Sequence, residues 1–296
     1  MLKPVEICGI KFKNPLIAAS GVYGFGEYYD DFYDLNILGG ISCKGLTIAP
    51  KNGNPVPRIA ETVSGMLNSV GLENPGVPAF CADYLPRLRE KIALKPDQTR
   101  IIANLSGATI DDYVKGAELL DKTDIDFIEL NISCPNVKAG GAAWGITASG
   151  AETVTTAVKK ATTKPIMVKL TPNVTDITEI AKAAEFAGAD ALSLINTLLG
   201  MRIDIKTRRP ILANTFGGLS GAAVFPVALR MVYQTVRAVS IPVVGLGGIT
   251  SGAAAYEMLL AGAAAIQVGT AIISDPTAPV RILAELNECV DRYGGV

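Results

Sequence analysis

The sequence predicts an α/β fold in which eight parallel strands close into a barrel covered by helices. Three observations support this: short β-branched runs recur eight times, helical patterns alternate with them, and no linker or shift in composition divides the chain. The same alternation fits an open, doubly wound sheet, but the strand count favours the (β/α)8, or TIM, barrel. We therefore expect a single domain that spans residues 1–296.

Each predicted strand is a short run of Val, Ile, Leu and Ala flanked by Gly, Pro or Asn. Runs that are apolar on both faces are typical of parallel strands buried between two layers. The 49% hydrophobic content supplies enough apolar side chains for such a core. The runs lie near residues 16–20, 40–46, 101–106, 127–133, 166–171, 191–196, 242–247 and 264–269.

Helical patterns fill the intervals between strands, and the clearest follows the fifth strand. There Asp176 and Glu179 predict a capping box, and Gly188 is placed to end the helix. A second helix is predicted over 108–120, where two acidic residues suit the positive end of the helix dipole. The buried face of the first helix is predicted from the spacing of Ile177, Ile180, Ala181 and Ala184.

Two connections between strands exceed ordinary loop lengths. They span residues 47–99 and 198–240. Structureless loops of this length are uncommon in a compact domain. We therefore expect long inserted loops at the C-terminal face of the barrel, carrying extra structure or a lid.

Charge and hydropathy exclude several functional classes. Lys and Arg total 27, Asp and Glu total 28, and the net charge of −1 shows no basic stripe, so no nucleic-acid partner is expected. No stretch of about 18 apolar residues occurs, so no membrane span is expected. The N-terminal residues lack the pattern of a secretory leader, which favours a cytoplasmic protein.

The cysteine and histidine content limits the possible chemistry. Histidine is absent, which excludes His-based triads, His-ligated metals and a His general base. No two cysteines lie within three residues of each other, so neither a CxxC zinc or iron–sulfur site nor any other metal site is predicted. The five residues, which we expect to be reduced, are Cys8, Cys43, Cys81, Cys134 and Cys289.

Polar side chains gather where the predicted strands end. In a (β/α)8 barrel the active site lies at the C-terminal ends of the strands. A buried Lys or Asn is unfavourable there unless it has a partner, so several together predict a polar ligand at the barrel mouth. These residues are Ser20, Lys44, Asn104, Asn131, Lys169, Asn196 and Thr197.

Glycines follow the seventh and eighth strands, at Gly247-Gly248 and Gly269-Thr270, and more occur in the segment FGGLSG that ends at Gly221. This corner of a barrel commonly binds phosphate through backbone N–H groups. Ordinary turn glycines would give the same pattern, but the neighbouring Lys and Asn residues favour a phosphate-bearing ligand.

Two longer motifs resemble those of class 1 dihydroorotate dehydrogenases. The segment ELNISCPNVK at 129–138 resembles their active-site loop, and SGMLNSVGLENPG at 64–76 resembles their orotate-binding loop. Shorter matches extend the resemblance over nearly the whole chain. GVYGFGEYY at 21–29 and the ETxSGMLN pattern at 61–68 are most similar to the FMN-carrying catalytic subunit of subclass 1B.

The resemblance implies FMN as the cofactor and dihydroorotate as the substrate, with contacts assigned position by position. The implied FMN contacts are Ser20, Lys44, Gly45, Asn104, Asn131, Lys169, Ile195, Gly221, Gly247, Gly248, Gly269 and Thr270. The implied substrate contacts are Lys44, Asn68, Ser69, Val70, Gly71, Leu72, Asn131, Asn196 and Thr197.

The resemblance also implies the catalytic residues. Cys134 would be the base that takes a proton from C5 of dihydroorotate while hydride leaves C6 for N5 of the flavin. Lys44 would lie between flavin and substrate, and Lys169 would stabilise negative charge on the reduced flavin. A buried, inert Cys134 is the alternative, but its position between Ser133 and Pro135 just past a strand end disfavours it. Cys43, inside a strand, is predicted to be a core residue.

Subclass 1B implies a homodimeric core joined to a separate subunit that carries FAD and a 2Fe–2S cluster, forming a heterotetramer that passes electrons to NAD. The chain itself has neither an iron–sulfur motif nor a convincing dinucleotide fingerprint. Three alternatives remain from the sequence: a homodimeric, fumarate-using enzyme of subclass 1A, a related flavin barrel acting on another dihydropyrimidine, and a phosphate-ligand-binding barrel without redox chemistry.

Overall fold

The computed structural model describes residues 2–92, 98–133 and 144–295. Its strands are β1 (Val5–Ile7), β2 (Ile10–Phe12), β3 (Leu16–Ala18), β4 (Gly40–Ser42), β5 (Ile59–Thr62), β6 (Gly65–Asn68), β7 (Arg100–Leu105), β8 (Phe127–Asn131), β9 (Ile166–Lys169), β10 (Ala191–Leu194), β11 (Leu198–Met201), β12 (Ile203–Asp204), β13 (Arg209–Pro210), β14 (Phe216–Ser220), β15 (Val243–Leu246) and β16 (Ala265–Val268). Its α-helices are α1 (Val77–Ala79), α2 (Leu85–Ile92), α3 (Ile110–Asp121), α4 (Ala148–Lys159), α5 (Ile177–Phe186), α6 (Phe225–Val236), α7 (Gly252–Leu260), α8 (Thr270–Ser274) and α9 (Ala278–Tyr293).

Eight of these strands form the closed barrel that the sequence predicts. Their order around the barrel is β3, β4, β7, β8, β9, β10, β15 and β16, with β16 returning to pair with β3, and every pairing is parallel. The fold is therefore a (β/α)8 barrel.

All eight barrel strands end earlier than the sequence predicts. The run 40–46 was expected to be one strand, yet β4 ends at Ser42 and the following residues leave the regular ladder, although the Cys43 N–H still donates to Ile102 O. The same shortening affects the first and sixth barrel strands. The apolar pattern continues past each strand end because the chain stays buried there as it turns into the barrel mouth.

The outer helices pack as their spacing predicts. In α5, Asp176 caps the helix by accepting from the Thr178 N–H at 2.8 Å. The predicted capping box is wrong in detail, because that bond goes to the second helical residue instead of the third, Glu179. Gly188, with φ of +94°, follows the helix end, as expected. The buried residues of α5 are Ile177, Ile180, Ala181 and Ala184.

The helix predicted over 108–120 is present as α3. Thr109 accepts from the Asp112 N–H at 3.2 Å, and the Asp112 carboxylate accepts from the Thr109 N–H at 3.0 Å. This reciprocal pair is a capping box, and it satisfies two N–H groups that the first turn leaves without helical partners.

The two long connections carry inserted structure and meet each other. The first supplies β5 and β6, the second supplies β11 and β14, and together they form an antiparallel sheet in the order β11, β14, β6, β5. Gly218 of β14 pairs with Asn68 of β6. A Cβ on Gly218 would lie 1.9 Å from Thr197 Oγ1, so glycine is needed for the sheet to approach the barrel mouth. The prediction of extra structure in these connections is confirmed. That the inserted sheet acts as a lid stays a prediction.

The barrel interior has an apolar lower layer. The hairpin β1–β2 closes the N-terminal end of the barrel, where the Phe12 and Phe127 rings lie 5.9 Å apart. Seven of the eight barrel strands, all except β4, place one side chain each in this layer, and those side chains are fully buried. The layer contains Ile7, Phe12, Ile17, Ile102, Phe127, Met167, Ala191, Val244 and Ala265.

An upper, polar layer lies two residues further along five of these strands, on the same interior face, and Ser42 of β4 completes it. From this position we expect the upper layer to lie directly below the barrel mouth and to contact it. Its members are Ser42, Asn104, Glu129, Lys169, Ser193 and Gln267, all at most 4% exposed.

Among the described residues, no helix is both long and apolar enough to cross a membrane.

Candidate active site

A cavity of about 250 Å³ opens at the C-terminal mouth of the barrel. Strand ends form its floor, and the inserted sheet forms one wall through residues such as Met66 and Leu219. The cavity therefore lies where the sequence predicts the ligand. The predicted contacts that line it are Ser20, Lys44, Gly45, Asn68, Val70, Gly71, Leu72, Asn131, Lys169, Ile195, Asn196, Thr197, Gly221, Gly247, Gly248, Gly269 and Thr270.

Two predicted contacts lie beside the cavity instead of lining it. Asn104 is fully buried beneath the floor, where its Nδ2 donates to Glu129 Oε2 at 2.6 Å. Ser69 is also fully buried, and its N–H donates to Arg58 O at 2.7 Å. Asn104 points into the barrel interior but lies one layer below the cavity floor, whereas Ser69 lies between two lining residues of an extended segment, in which neighbouring side chains point to opposite sides. Both are thus placed to support the residues that line the cavity.

Asn131 and Lys169 lie side by side on the cavity floor because they are register partners at the ends of β8 and β9. Asn131 Oδ1 accepts from Ser133 Oγ at 2.8 Å, and Ser133 Oγ accepts from Asn196 Nδ2 at 2.5 Å. The Tyr113 hydroxyl donates to Asn131 O at 3.0 Å. This chain of bonds fixes two asparagine amides that face the same cavity.

Lys44 reaches the cavity from the segment after β4. Its backbone N–H donates to Gly24 O at 2.9 Å, which ties this segment to the loop that follows β3. The side chain lines the same cavity as Lys169. Two lysines in one cavity favour an anionic ligand.

The glycines after β15 fit closely against neighbouring backbone. Gly247 and Gly248 have φ of +123° and +73°, and a Cβ on Gly248 would lie 2.7 Å from Phe225 N and 2.8 Å from Gly221 O. Within residues 2–92, 98–133 and 144–295, neither the Gly247 nor the Gly248 N–H has a protein acceptor. The N-terminus of α6 begins at Phe225, beside these glycines. Unpaired N–H groups next to a helix N-terminus suit a phosphate.

Sequence reasoning missed Glu129, which lies fully buried below the cavity floor. Its carboxylate accepts from Asn104 Nδ2 at 2.6 Å, and Lys169 Nζ lies 3.5 Å from Oε2. Burial alone would raise its pKa. The positive charge of Lys169, with hydrogen bonds from Gln267, Asn104 and Ser42, outweighs that effect and holds the pKa below its usual value. The signal in the sequence is an acidic residue inside the apolar strand FIELN.

Gln267 was missed as well, although it lines the cavity and is only 1% exposed. Its Nε2 donates to Glu129 Oε1 at 2.7 Å. Its Oε1 is buried and has no hydrogen-bond partner among the described residues. A buried acceptor without a partner is unfavourable, which is consistent with a ligand that donates to it. An amide within the apolar strand AIQV was the available signal.

Cys134, the predicted base, lies outside the described residues, so its position stays a prediction. Cys43 is fully buried, as predicted for a core residue, and burial raises the pKa of its thiol to about 12. Burial likewise raises the pKa of Cys8 to about 11. Both thiols are therefore protonated near neutral pH, and neither lines the cavity.

Comparison with known proteins identifies the relatives of this chain. The family model described as dihydroorotate dehydrogenase matches residues 1–290. A protein of Alkaliphilus oremlandii named "Dihydroorotate dehydrogenase B (NAD(+)), catalytic subunit" is 55% identical over 289 residues, covering 98% of this chain and 94% of that protein. Proteins of the same name from Bacteroides thetaiotaomicron and Geobacter metallireducens are 53% and 54% identical, each covering 98% of this chain and 94% and 93% of their own lengths.

The match extends across the barrel strands, the inserted sheet and the cavity. The chain belongs to the dihydroorotate dehydrogenase family.

Proposed function

We propose that this chain is the catalytic subunit of an enzyme that oxidises dihydroorotate to orotate, a step of pyrimidine biosynthesis, using bound FMN. The observation that carries the proposal is the convergence of Lys44, Asn131, Lys169 and Asn196 on one cavity beside the glycines that follow β15. Relatives more than 50% identical bear the name of this activity. A single domain spanning residues 1–296 is part of the proposal.

The cavity residues fit FMN in three respects. The unpaired N–H groups of Gly247 and Gly248 suit its phosphate. The unpaired Oε1 of Gln267 suits a ring N–H, and Lys169 suits an electron-rich ring edge. Bound FMN would supply an acceptor for hydride at its N5 atom. Predicted contacts such as Ser20, Gly45, Ile195, Gly221, Gly269 and Thr270 would complete the binding site.

The remaining cavity residues suit a small pyrimidine acid. Asn68, Asn131 and Asn196 each offer a donor and an acceptor, which match the amide edges of the ring. The Lys44 cation is suited to hold the substrate carboxylate and to orient the ring. Cys134 is proposed as the base that removes the proton from C5, since the motif SCPN places it directly after Ser133.

We propose a partner subunit for the second half-reaction. The names of the relatives include NAD(+) and "catalytic subunit", which implies another subunit in those enzymes. Within the part of the chain that the structure describes, no cluster of three or more His, Cys, Asp or Glu residues is arranged to hold a metal. A homodimeric core with a separate subunit carrying FAD and a 2Fe–2S cluster, in a heterotetramer, is the proposed arrangement.

The test is the anaerobic visible spectrum of the purified chain before and after addition of dihydroorotate. We expect a yellow protein whose flavin absorbance bleaches. A yellow protein bleached only by another dihydropyrimidine would show that dihydroorotate is not the substrate. A colourless protein that does not bind added FMN would show that FMN is not the cofactor. Turnover with NAD in the presence of the partner subunit, but not with fumarate, is expected for the proposed acceptor.

A further inference from the structure

Glu129 is the centre of the polar layer, although it does not line the cavity. Each of its oxygens accepts two hydrogen bonds from neutral side chains. Oε1 accepts from Ser193 Oγ at 2.8 Å and Gln267 Nε2 at 2.7 Å, and Oε2 accepts from Ser42 Oγ at 2.8 Å and Asn104 Nδ2 at 2.6 Å. With Lys169, five strands besides its own contribute to this one carboxylate.

This amount of coordination keeps a carboxylate ionised inside the barrel. An unpartnered buried charge would be very unfavourable, whereas four donors and a cation offset the loss of water. Glu129 is the one carboxylate within 4.0 Å of Lys169 Nζ in the described part of the chain. The lysine therefore has a counter-charge below it and the open cavity above it.

The carboxylate also determines the orientation of the Gln267 amide, which lines the cavity. Because an ionised carboxylate accepts only, Gln267 must turn Nε2 towards Glu129. Its Oε1 is thereby left buried and without a partner among the described residues, in a side chain that lines the cavity. Lys169 presents N–H donors from the neighbouring floor. A cation beside an amide oxygen is complementary to an imide edge, in which a carbonyl oxygen adjoins an N–H.

We propose that Glu129 is a positioning residue that holds Lys169 and orients Gln267 so that the cavity floor binds the imide edge of the flavin ring. The proposal rests on the proposed function, because it requires FMN in this cavity. It adds a residue that touches neither cofactor nor substrate and acts through two that face them.

The first variant is Glu129→Gln, which keeps the shape but removes the charge. Its amide nitrogen would face either Asn104 or Gln267, and one of those amides must then rotate, whereas serine hydroxyls reverse freely. Removing the negative charge also makes the floor more positive. The opposite change is made by Lys169→Gln, which removes the cation.

The experiment measures two properties of bound FMN: its dissociation constant, by titrating apoprotein, and its midpoint potential, by spectroelectrochemistry. For Glu129→Gln we expect FMN affinity at least ten-fold weaker and a more positive potential. For Lys169→Gln we expect a more negative potential. Nonspecific damage to the core would not move the two potentials in opposite directions.

Two serine variants keep the proposal testable if Glu129→Gln does not fold. Ser42 bonds the oxygen nearest Lys169, whereas Ser193 bonds the other oxygen, and neither lines the cavity. We expect Ser42→Ala to shift the potential more than Ser193→Ala. Equal shifts, or an unchanged dissociation constant and potential in Glu129→Gln, would overturn this inference while leaving the function intact. Wild-type chain that binds no FMN would instead overturn the proposed function, and this inference with it.

Discussion

The lower and upper layers of the barrel interior differ completely in chemistry, although they are two residues apart on the same strands. Phe127 packs against Phe12 in the lower layer, whereas Glu129 collects hydrogen bonds in the upper layer. Both layers are buried, with no side chain more than 4% exposed. Burial alone therefore does not distinguish the layer that closes the barrel from the layer that supports the cavity.

The difference has an energetic meaning. Apolar side chains in the lower layer gain stability from burial, on the order of 25 cal/mol per Å². Polar groups in the upper layer gain little on balance, because their hydrogen bonds mainly replace those made with water. The hydrogen bonds of the polar layer instead fix the positions of one charge pair and two amide groups under the cavity. We expect the lower layer to govern stability and the upper layer to govern function.

The largest effect is expected at the cavity itself. Cys134→Ser should slow flavin reduction by dihydroorotate about 10²–10⁴-fold, because a hydroxyl is a much weaker base than a thiolate. FMN should remain bound. Stopped-flow absorbance measures the rate, and Cys81→Ser, which changes a half-buried thiol outside the cavity, is the matched control. Near-normal reduction in Cys134→Ser would disprove its role as the base.

A substitution in the lower layer should reduce stability and leave FMN binding unchanged. Phe127→Ala removes a fully buried ring and should reduce the free energy of unfolding by about 3–5 kcal/mol. Folded variant should bind FMN about as tightly as wild type, because the cavity floor lies above this layer. Urea denaturation and FMN titration measure the two properties. A loss of FMN affinity without loss of stability would contradict the expectation that the lower layer governs stability and the upper layer governs function.

The pH dependence of stability gives a smaller effect that belongs to the upper layer. The pKa of Glu129 is held below its usual 4.5 in the folded chain, so its contribution is present above pH 4.5 and is lost as pH falls through the folded pKa. Wild type should exceed Glu129→Gln in stability by about 1–3 kcal/mol near neutral pH. The gap should narrow in acid. A gap that stays constant from neutral pH into acid would exclude an ionised Glu129.

The smallest effect is expected outside both layers. Thr109→Ala removes the cap of α3 and should lower stability by about 1 kcal/mol, because the Asp112 N–H loses its acceptor. FMN binding should not change. Thermal unfolding measures the loss, and Thr109→Ser, which keeps the hydroxyl, should restore most of it. A clear loss of FMN affinity in Thr109→Ala would show that the helix cap and the cavity are coupled.

Local patterns in the sequence were sufficient for the barrel and much of the cavity. Eight apolar runs predicted the eight barrel strands, and polar residues at their ends predicted a site at the mouth. The motif at 64–76 predicted substrate contacts, most of which line the cavity. The strands and the site at their ends follow from periodicity and from chain neighbours, whereas the contacts at 64–76 were implied by the resemblance to class 1 dihydroorotate dehydrogenases. The ends of strands were less well predicted, because burial continues where the regular hydrogen-bond ladder stops.

Only the tertiary structure decided the partners of Glu129 and Gln267. The two residues are 138 positions apart in the chain, and Ser42 is 87 positions from Glu129. Their side chains meet because closing the barrel brings six strands around one axis. A sequence records that a polar residue interrupts an apolar strand, but the partners that make its burial favourable come from strands that only closure brings together.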